Sequence, residues 1–298
     1  MSSRKYALVT AAAAAAVALS ACSGTSSGEP KPWPTAVGTG GVVAAPTSAT
    51  VRPTTFSWKD VTGQGVEAPR DSNPRTFAQY GSVPVPGIQV QHAEGNEMHL
   101  CTIGPAVVPD MAQQERGFLT AGHCAPAGGV QQWLQHTPDG DPVPLAPATG
   151  AVNAGPVDVA AIWTSTQPRA AVAQWPVAGV LTQQAIRDLP LGTPICVDGS
   201  RTGVVCGGLT SVNSGGLLRF DAPGKKGDSG GPVFVVDEKN RATLIGIIKG
   251  GAEDGSDTTA TYLDPALRAL KAKALVDPAM AVDPQADSRY SDQATSAS

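Results

Sequence analysis

The sequence has few aromatic and few charged residues. Aromatic side chains make up 5% of the chain, charged side chains 15%, and the formal net charge is −4. No run of basic residues stands out, so the charge pattern typical of a nucleic-acid-binding protein is missing. We expect no nucleic-acid partner and no cofactor. In contrast, 34 glycines and 26 prolines favour many short strands joined by turns over long helices.

Long apolar runs are also missing, apart from a short one near the N-terminus. After a basic start, apolar residues continue from Tyr6 to Leu19, a length typical of an export signal and too short to span a membrane. The four residues ending at Cys22 resemble the lipobox of bacterial lipoproteins, which implies a signal peptide over residues 1–21 and acyl chains on Cys22. We therefore expect an exported protein anchored to the cell membrane by lipid. The alternative is an ordinary secretory signal and a secreted protein.

The composition divides the rest of the chain into a tether, a domain and a tail. Residues 22–79 are rich in Ser, Thr, Gly and Pro and predict a flexible tether. Within it, the segment from Phe56 to Val61 either packs on the domain or a partner, or carries isolated aromatic residues. We expect a globular domain over residues 80–276 and a poorly ordered polar tail over residues 277–298.

Four cysteines remain once Cys22 is assigned to lipid attachment. An even number of cysteines in an oxidising compartment favours disulfides, and four cysteines allow three pairings. Spacing in the sequence favours two pairs: Cys101 with Cys124, and Cys196 with Cys206.

Two segments offer alternative metal sites. The first is formed by His99, Cys101, His123 and Cys124. Adjacent residues rarely point at one ion, and export favours disulfides, so this site is disfavoured. The second is the acidic loop from Glu253 to Asp257, which lacks the ligand spacing of known calcium loops and is more typical of a solvated turn. We expect no bound metal.

Short apolar runs bounded by turn residues recur from Gly87 to Ile248 and predict an all-β barrel or sandwich. Asp237 to Arg241 lies between two of these runs and predicts a hairpin connection. The pattern then changes to helix-forming residues, which predict one C-terminal helix over residues 264–275.

Two short motifs indicate the chemistry. Residues 227–232 read Gly-Asp-Ser-Gly-Gly-Pro, and residues 120–124 read Thr-Ala-Gly-His-Cys. A serine hydroxyl becomes a good nucleophile when an imidazole takes its proton, and flanking glycines let backbone N–H groups bind the oxyanion that develops. We predict Ser229 as nucleophile, His123 as general base, and the amides of Gly227 and Ser229 as the oxyanion hole.

A third residue must orient the imidazole, and Asp158 fits best. The aspartates between the two motifs are Asp139, Asp141, Asp158, Asp188, Asp198 and Asp221. Asp158 stands near the start of the apolar run from Val157 to Trp163, where a buried carboxylate needs a partner such as His123. The alternative is a turn residue at the end of a strand.

Together these segments resemble the chymotrypsin-like serine proteases, specifically the bacterial branch of streptogrisins and α-lytic protease. The matching residues are Cys101 to Gly104, Gly117 to Cys124, and Cys196, Gly199, Thr202, Gly203, Cys206 and Gly207. The resemblance implies two six-stranded antiparallel β-barrels, over about residues 83–167 and 175–262, with the catalytic triad between them. It also implies a protein or peptide substrate, hydrolysed through an acyl-enzyme.

The chain departs from that branch beside the nucleophile. Val197 occupies the place of an arginine that pairs with the buried aspartate, here Asp228. A buried carboxylate needs compensation, so we expect another cation there. The candidates are Arg201, Lys225, Lys226 and a newly cut N-terminus.

The predicted substrate pocket also differs from the family. Its residues are Pro223, Lys249, Gly250 and Gly251. No acid stands at Pro223, and the two glycines leave the walls open, so we expect a medium apolar or aromatic substrate side chain. Lys249 replaces a serine beside the triad acid; it either competes with His123 for Asp158 and lowers activity, or turns to solvent. Lys225 and Lys226 either favour acidic substrate positions or are solvated charges.

Two function classes remain open from the sequence. The favoured one is an active serine endopeptidase, a monomer on the extracytoplasmic face of the membrane, which either folds unaided or matures by a cut near Arg70 or Arg75. The alternative is a catalytically weak or inactive relative that uses the protease fold for binding.

Overall fold

A computed structural model describes residues 57–65, 83–94, 96–111, 115–125, 132–136, 141–145 and 148–297. The predicted signal peptide, Cys22, most of the tether, Arg70 and Arg75 lie outside these residues. The chain divides into Met1–Pro53 and Thr54–Ser298, and the description below concerns the second unit alone. Neither described helix is long and apolar enough to cross a membrane.

The described residues form mainly strands, which confirms the all-β prediction. The strands of the first half are β1 (Trp58–Lys59), β2 (Gln89–Glu94), β3 (Glu97–Thr102), β4 (Ala106–Pro109), β5 (Arg116–Thr120), β6 (Leu134–His136), β7 (Pro142–Pro144), β8 (Ala148–Ala154) and β9 (Val157–Thr164). Those of the second half are β10 (Ala171–Val172), β11 (Trp175–Val180), β12 (Pro194–Gly199), β13 (Gly203–Ser214), β14 (Leu217–Phe220), β15 (Pro232–Asp237), β16 (Ala242–Gly251), β17 (Thr258–Tyr262), β18 (Ala272–Val276) and β19 (Ala294–Ser296). The helices are α1 (Gln183–Arg187) and α2 (Leu263–Leu270).

Six strands of the second half close into an antiparallel barrel. Their order around the ring is β15, β12, β13, β14, β17 and β16, and β16 pairs back onto β15. Apolar side chains that alternate along these strands fill the interior, as the period of a half-buried strand requires; they include Val197, Phe220, Val233, Ile245 and Ala260. The predicted hairpin joins β15 to β16, where Asp237 and Arg241 are hydrogen-bonded through their backbones.

Strands β2 to β9 form two further sheets, and β18 and β19 from the C-terminal part of the chain join the second of them. One contains β3, β2, β6 and β7 in that order, and the other contains β19, β18, β4, β5, β9 and β8. The chain alternates between the two sheets: β2, β3, β6 and β7 lie in the first, and β4, β5, β8 and β9 lie in the second. A common core of buried apolar residues lies between them, including Ile88, Ile103, Phe118, Trp133 and Ile162.

The C-terminal helix is shorter than predicted. It ends at Leu270, and Lys271 adopts a left-handed conformation with φ of 53°. Residues 272–275, which we predicted as the end of the helix, instead belong to β18, which pairs with β4. Ala274 and Leu275 are buried in this strand, so tertiary pairing overrides the local helix propensity of this segment.

The prediction of a poorly ordered tail over residues 277–298 is wrong. Strand β19 pairs with β18, and the Tyr290 side chain is only 5% exposed. Its ring packs on Gly179, where a Cβ atom would lie 2.5 Å from Tyr290 Cδ1. The tail is polar in composition, yet it completes a sheet and covers part of the core.

Part of the predicted tether packs on the domain. Trp58 and Lys59 extend the second-half sheet as β1 beside β15, and Val61 is buried. Val61 also donates its N–H to Cys206 Sγ at 3.3 Å. This confirms the packing alternative for residues 58–61, while Phe56 lies outside the described residues.

Hydrogen bonds hold the two halves together along a cleft. Thr102 N–H donates to the Ser229 carbonyl at 2.8 Å, and Thr261 Oγ1 donates to the Pro156 carbonyl at 2.9 Å. These contacts bring the end of β3 and the β8–β9 turn against the barrel. The residues of the two sequence motifs therefore meet at this boundary.

Candidate active site

His123 and Asp158 form a tightly held pair. His123 lies in a short 3₁₀ turn over Gly122–Cys124 that follows β5, and Asp158 lies on β9, which pairs with β5. Asp158 Oδ2 is 2.6 Å from His123 Nδ1, and Oδ1 accepts the His123 backbone N–H at 2.7 Å. The carboxylate is fully buried, whereas the imidazole is 38% exposed. The aspartate thus holds both the ring and the backbone of a histidine that faces solvent.

Asp158 stays ionised in this environment. Burial acts to raise its pKa, but the hydrogen bonds from His123 and the charges of His123 and Lys249 outweigh it, so the pKa falls below 3.8. An ionised carboxylate only accepts hydrogen bonds, so it selects the imidazole form with a proton on Nδ1. Nε2 then keeps the lone pair that a general base needs.

Ser229 lies in the loop between β14 and β15, next to this pair. Ser229 and His123 line one cavity of about 610 Å³. The Ser229 carbonyl accepts the Thr102 N–H at 2.8 Å, which ties the loop to the first half of the domain. The structure therefore brings together the predicted nucleophile, base and orienting acid.

Gly227 has a backbone conformation that side-chain-bearing residues rarely adopt. Its φ is +107°, and a Cβ atom would lie 2.9 Å from Arg201 Cγ. The Gly227 carbonyl lies 2.8 Å from Thr102 Oγ1 and 3.1 Å from Ser200 Oγ. The next peptide N–H, that of Asp228, donates to the Lys225 carbonyl at 3.0 Å. Both the carbonyl and the N–H of the Gly227–Asp228 peptide group are therefore hydrogen-bonded. These bonds orient the loop that carries the two candidate oxyanion donors.

Backbone N–H groups bind the buried carboxylate of Asp228, an arrangement that the sequence did not suggest. Oδ1 accepts the backbone N–H groups of Arg201 at 2.8 Å and Thr202 at 3.2 Å, and Oδ2 accepts that of Lys225 at 2.8 Å. Burial nevertheless raises its pKa, because desolvation outweighs these bonds. We expected cationic side chains here; Arg201 and Lys225 instead contact Asp228 through backbone amides.

Lys249 reaches across the cleft to the first half of the domain. Its Nζ donates to the Gly155 carbonyl at 2.8 Å, in the turn that joins β8 to β9. Its charge is also one of the causes that lower the pKa of Asp158. Lys249 is therefore close enough to act on the triad acid electrostatically, although its ammonium is bonded to the turn.

A second cavity of about 460 Å³ adjoins Ser229. Gly250 and Gly251, which we assigned to the substrate pocket, line it. Pro223 and Lys249, which we also assigned to the substrate pocket, are not among its lining residues in the part of the chain described. The remaining lining residues are Gly224, Lys225, Lys226, Asp228, Ser229, Ile248, Ala252, Glu253, Asp254, Gly255 and Asp257.

The acidic loop is the part of this pocket that the sequence analysis missed. It is a turn held by its own side chains, since Asp254 Oδ1 accepts the Ser256 N–H and Asp257 Oδ1 accepts the Ala252 N–H. The loop follows Gly250 and Gly251 closely in the sequence, and this proximity could have indicated that it lines the same pocket. Thr102 and Ser200 were missed as well, because isolated hydroxyl residues carry no motif.

Both predicted disulfides are present. Cys101 is bonded to Cys124 and Cys196 to Cys206. The first joins the end of β3 to the residue after His123. The ligand atoms of Cys101, His123 and Cys124 lie within 4.8 Å of one another, but the two sulfurs are oxidised and offer no thiolate to a metal.

Comparison with known proteins found relatives of low sequence identity. No protein-family model matches the chain. An uncharacterized protein of Mycobacterium tuberculosis is 28% identical over 191 residues, which covers 59% of this chain and 77% of that protein. Streptogrisin-C of Streptomyces griseus is 29% identical over 189 residues, which covers 59% of this chain but only 37% of Streptogrisin-C.

Similar solved structures include serine proteases. Cellulomonas bogoriensis chymotrypsin has 26% identity and a TM-score of 0.45, covering 65% of this chain and 98% of its own. A glutamic-acid-specific serine protease has 20% identity and a TM-score of 0.49, covering 64% of this chain and all of its own (100%). Because both TM-scores are below 0.5, assignment of catalytic roles depends on the geometry of this chain.

Proposed function

We propose that the protein is a serine endopeptidase with Ser229 as nucleophile, His123 as general base and Asp158 as orienting acid. The observation that carries the proposal is the His123–Asp158 pair, with Nδ1 and Oδ2 2.6 Å apart, in the same cavity wall as Ser229. A buried carboxylate behind a partly exposed imidazole beside a serine is the arrangement that nucleophilic catalysis needs.

The proposed reaction starts when Ser229 Oγ attacks the substrate carbonyl carbon and His123 takes the hydroxyl proton. A C–O bond forms, the carbonyl electron pair moves to oxygen, and the N–H groups of Gly227 and Ser229 stabilise that oxyanion. His123 then protonates the leaving amine as the C–N bond breaks, which leaves an acyl-enzyme. Water attacks the acyl group by the same route and restores Ser229.

We also propose that the protein is exported and lipid-anchored through Cys22, which lies outside the described residues. The two disulfides support an oxidising compartment outside the cytoplasm. A flexible chain of the length of residues 22–57, which ends where β1 packs on the domain, would have a root-mean-square span of about 33 Å, so we propose that the substrates lie near the membrane surface. Incorporation of an alkyne-tagged fatty acid, lost in Cys22→Ser, tests the anchor. A secreted, unlabelled protein contradicts it.

A fluorophosphonate probe tests the catalytic proposal. The probe forms a Ser Oγ–P bond with loss of fluoride only when the serine is activated. We expect labelling of the wild type and of Ser165→Ala, an exposed serine between the two halves, but not of Ser229→Ala. Labelling should also fall strongly in His123→Ala. A correctly folded wild type that is not labelled contradicts the proposal.

The second candidate function is binding without catalysis, which Lys249 favours. Its charge acts on Asp158 and so competes with the imidazolium that forms during the reaction. Val197, which stands in the place of an arginine that would pair with Asp228, does not favour this alternative. Asp228 accepts three backbone N–H groups, and Val197 is buried among the apolar residues of the barrel.

A further inference from the structure

Ser229 separates two cavities that differ in their relation to His123. His123 lines the larger one, of about 610 Å³, and is not among the described residues that line the smaller one. In the proposed reaction the imidazole must protonate the departing amine, so the peptide beyond the cleaved bond must lie on the side of His123. We call the larger space the leaving-group cavity. Its lining residues are Glu97, Met98, His99, Leu100, Cys101, His123, Cys124, Arg201, Lys225, Lys226, Gly227 and Ser229.

The two cavities also differ in charge. In the smaller cavity, Lys225 and Lys226 are lining residues together with the acidic loop from Glu253 to Asp257, so charges of both signs line it. The leaving-group cavity contains the same two lysines together with Arg201, and Glu97 is the one carboxylate among its described lining residues. A cleft lined mainly by one sign of charge concentrates ligands of the opposite sign. The side on which the leaving peptide lies is therefore cationic.

The backbone that carries two of these cations is held by hydrogen bonds. The backbone N–H groups of Arg201 and Lys225 both donate to buried Asp228, which holds their main chains in place. A Cβ built on Gly227 would lie 2.9 Å from Arg201 Cγ and 3.7 Å from Leu100 Cβ, so these two side chains flank the candidate oxyanion donor. Such a backbone leaves little reorganisation to be made on binding.

Apolar groups line the leaving-group cavity together with these charges. They are Leu100, the Cys101–Cys124 disulfide and Met98, a large apolar side chain that is 51% exposed. Side chains with an apolar stem and a terminal anionic group match a cavity that offers both apolar and cationic groups. Glutamate and aspartate side chains in the leaving peptide meet both requirements.

We propose that the leaving-group cavity selects peptides with acidic residues in the first positions after the cleaved bond. The inference rests on the proposed function and assigns its substrate class on the leaving side. Arg201, Lys225 and Lys226 are the specificity-determining residues, and Glu97 opposes them. Exposed ion pairs of this kind each change binding by a factor of about two to five, so together they produce a preference of about tenfold.

Acyl-transfer partitioning measures the preference of the leaving-group cavity separately from that of the acyl side. An acyl-enzyme formed from an activated ester is offered dipeptide amides that compete with water for the acyl group. The probes are Asp-Glu-amide, Asn-Gln-amide and Lys-Arg-amide at equal concentration. We expect the acidic acceptor to be used about tenfold more efficiently than the basic one, with the neutral one between them. In about 1 M salt the difference should shrink towards parity, because exposed charges are screened.

Single variants then assign the preference to residues. Arg201→Gln, Lys225→Gln and Lys226→Gln should each reduce the acidic-to-basic ratio, and Glu97→Gln should raise it. Lys239→Gln is the matched control, an exposed lysine on the β15–β16 hairpin that should leave the ratio unchanged. Rates are expressed per site labelled by fluorophosphonate, so that misfolded protein is not counted.

The outcomes separate this inference from the function on which it rests. Labelled enzyme that uses acidic and basic acceptors equally, or whose acidic preference survives all three substitutions, overturns the inference and leaves the protease intact. Folded wild type that is not labelled by fluorophosphonate overturns the proposed function, and the inference with it.

Discussion

Thr102 Oγ1 lies 2.8 Å from the carbonyl oxygen of Gly227, at the boundary between the two halves of the domain. Ser200 N–H donates to Thr102 Oγ1 at 3.0 Å, and Ser200 Oγ lies 3.1 Å from the same carbonyl. Both side chains are fully buried, with 0% exposure. A hydroxyl has one proton, so the two residues form a chain of bonds that ends at Gly227. The loop with the candidate oxyanion donors is thus oriented by Thr102 of the first half and by Ser200 of its own barrel.

Replacing the threonine should therefore impair the chemical step more than substrate binding. We expect Thr102→Val to lower kcat about tenfold and change KM less than about twofold, because the oxyanion loop is no longer held in one orientation. The lost hydrogen bonds should also cost about 1 kcal/mol of stability. Thr193→Val is the control, since it removes a Thr hydroxyl bond to the Pro190 carbonyl away from both cavities. Equal kcat in the two variants contradicts the positioning role.

Asp158→Asn should lower kcat by about 10³- to 10⁴-fold while the protein stays folded, because an amide no longer enforces the proton on Nδ1 of His123. A loss of less than about tenfold contradicts the proposed role.

The same variant predicts a pH dependence of stability. The folded pKa of Asp158 lies below the ordinary value of 3.8, so its contribution is fully present above that value and is lost as the pH falls through the folded pKa. The difference in unfolding free energy between wild type and variant should be constant near neutral pH and shrink below pH 3.8. The pKa of Asp228 is raised, but Asp228 is present in both proteins, so its effect on stability cancels in the difference. Thermal unfolding from neutral pH to about pH 2 measures the difference.

Lys249→Ser should raise kcat/KM by about two- to fivefold. The substitution removes a cation that competes with the imidazolium for Asp158. Lys249→Ser also removes the hydrogen bond to the Gly155 carbonyl and shortens the side chain. Lys249→Met is measured beside it, because it loses the same charge and hydrogen bond but keeps the apolar stem. Unchanged kcat/KM in both variants means that Lys249 does not limit activity.

The two disulfides should differ in their effect on activity. Removing either one should cost about 3 kcal/mol, because each closes a loop in the unfolded chain. Only the Cys101→Ala/Cys124→Ala pair touches the residue next to His123, so it should also lower kcat in the fraction that remains folded. The Cys196→Ala/Cys206→Ala pair is the comparison. A similar loss of kcat per folded molecule in both pairs contradicts this assignment.

Tyr290→Ala should destabilise the domain by about 3 to 4 kcal/mol, as expected for a buried aromatic side chain. The ring fills the space over Gly179 and lies 3.4 Å from Thr243 Oγ1 through its hydroxyl. Chemical denaturation measures the loss. Tyr290→Phe is the control and should cost about 1 kcal/mol or less. A variant as stable as the wild type means that the tail contributes little to the fold.

Much of the candidate site could be predicted from the sequence because its signals are local. Gly227 to Pro232 and Thr120 to Cys124 are contiguous motifs whose residue types are dictated by the chemistry of an activated serine. Asp158 was found from a short apolar run that predicts a strand. Short apolar runs bounded by turn residues likewise predicted most of the strands, since such a run depends on neighbouring residues alone.

The tertiary structure decided which surfaces and side chains complete these local elements. Asp228 is compensated by amides from two separate loops, Lys249 bonds to the turn after β8, and Tyr290 covers Gly179. Residues 272–276 have the composition of a helix, yet they pair as a strand because β4 offers a free edge beside them. Most of these contacts join residues that are far apart in the sequence and come together only when the chain folds. A local sequence pattern therefore does not predict them.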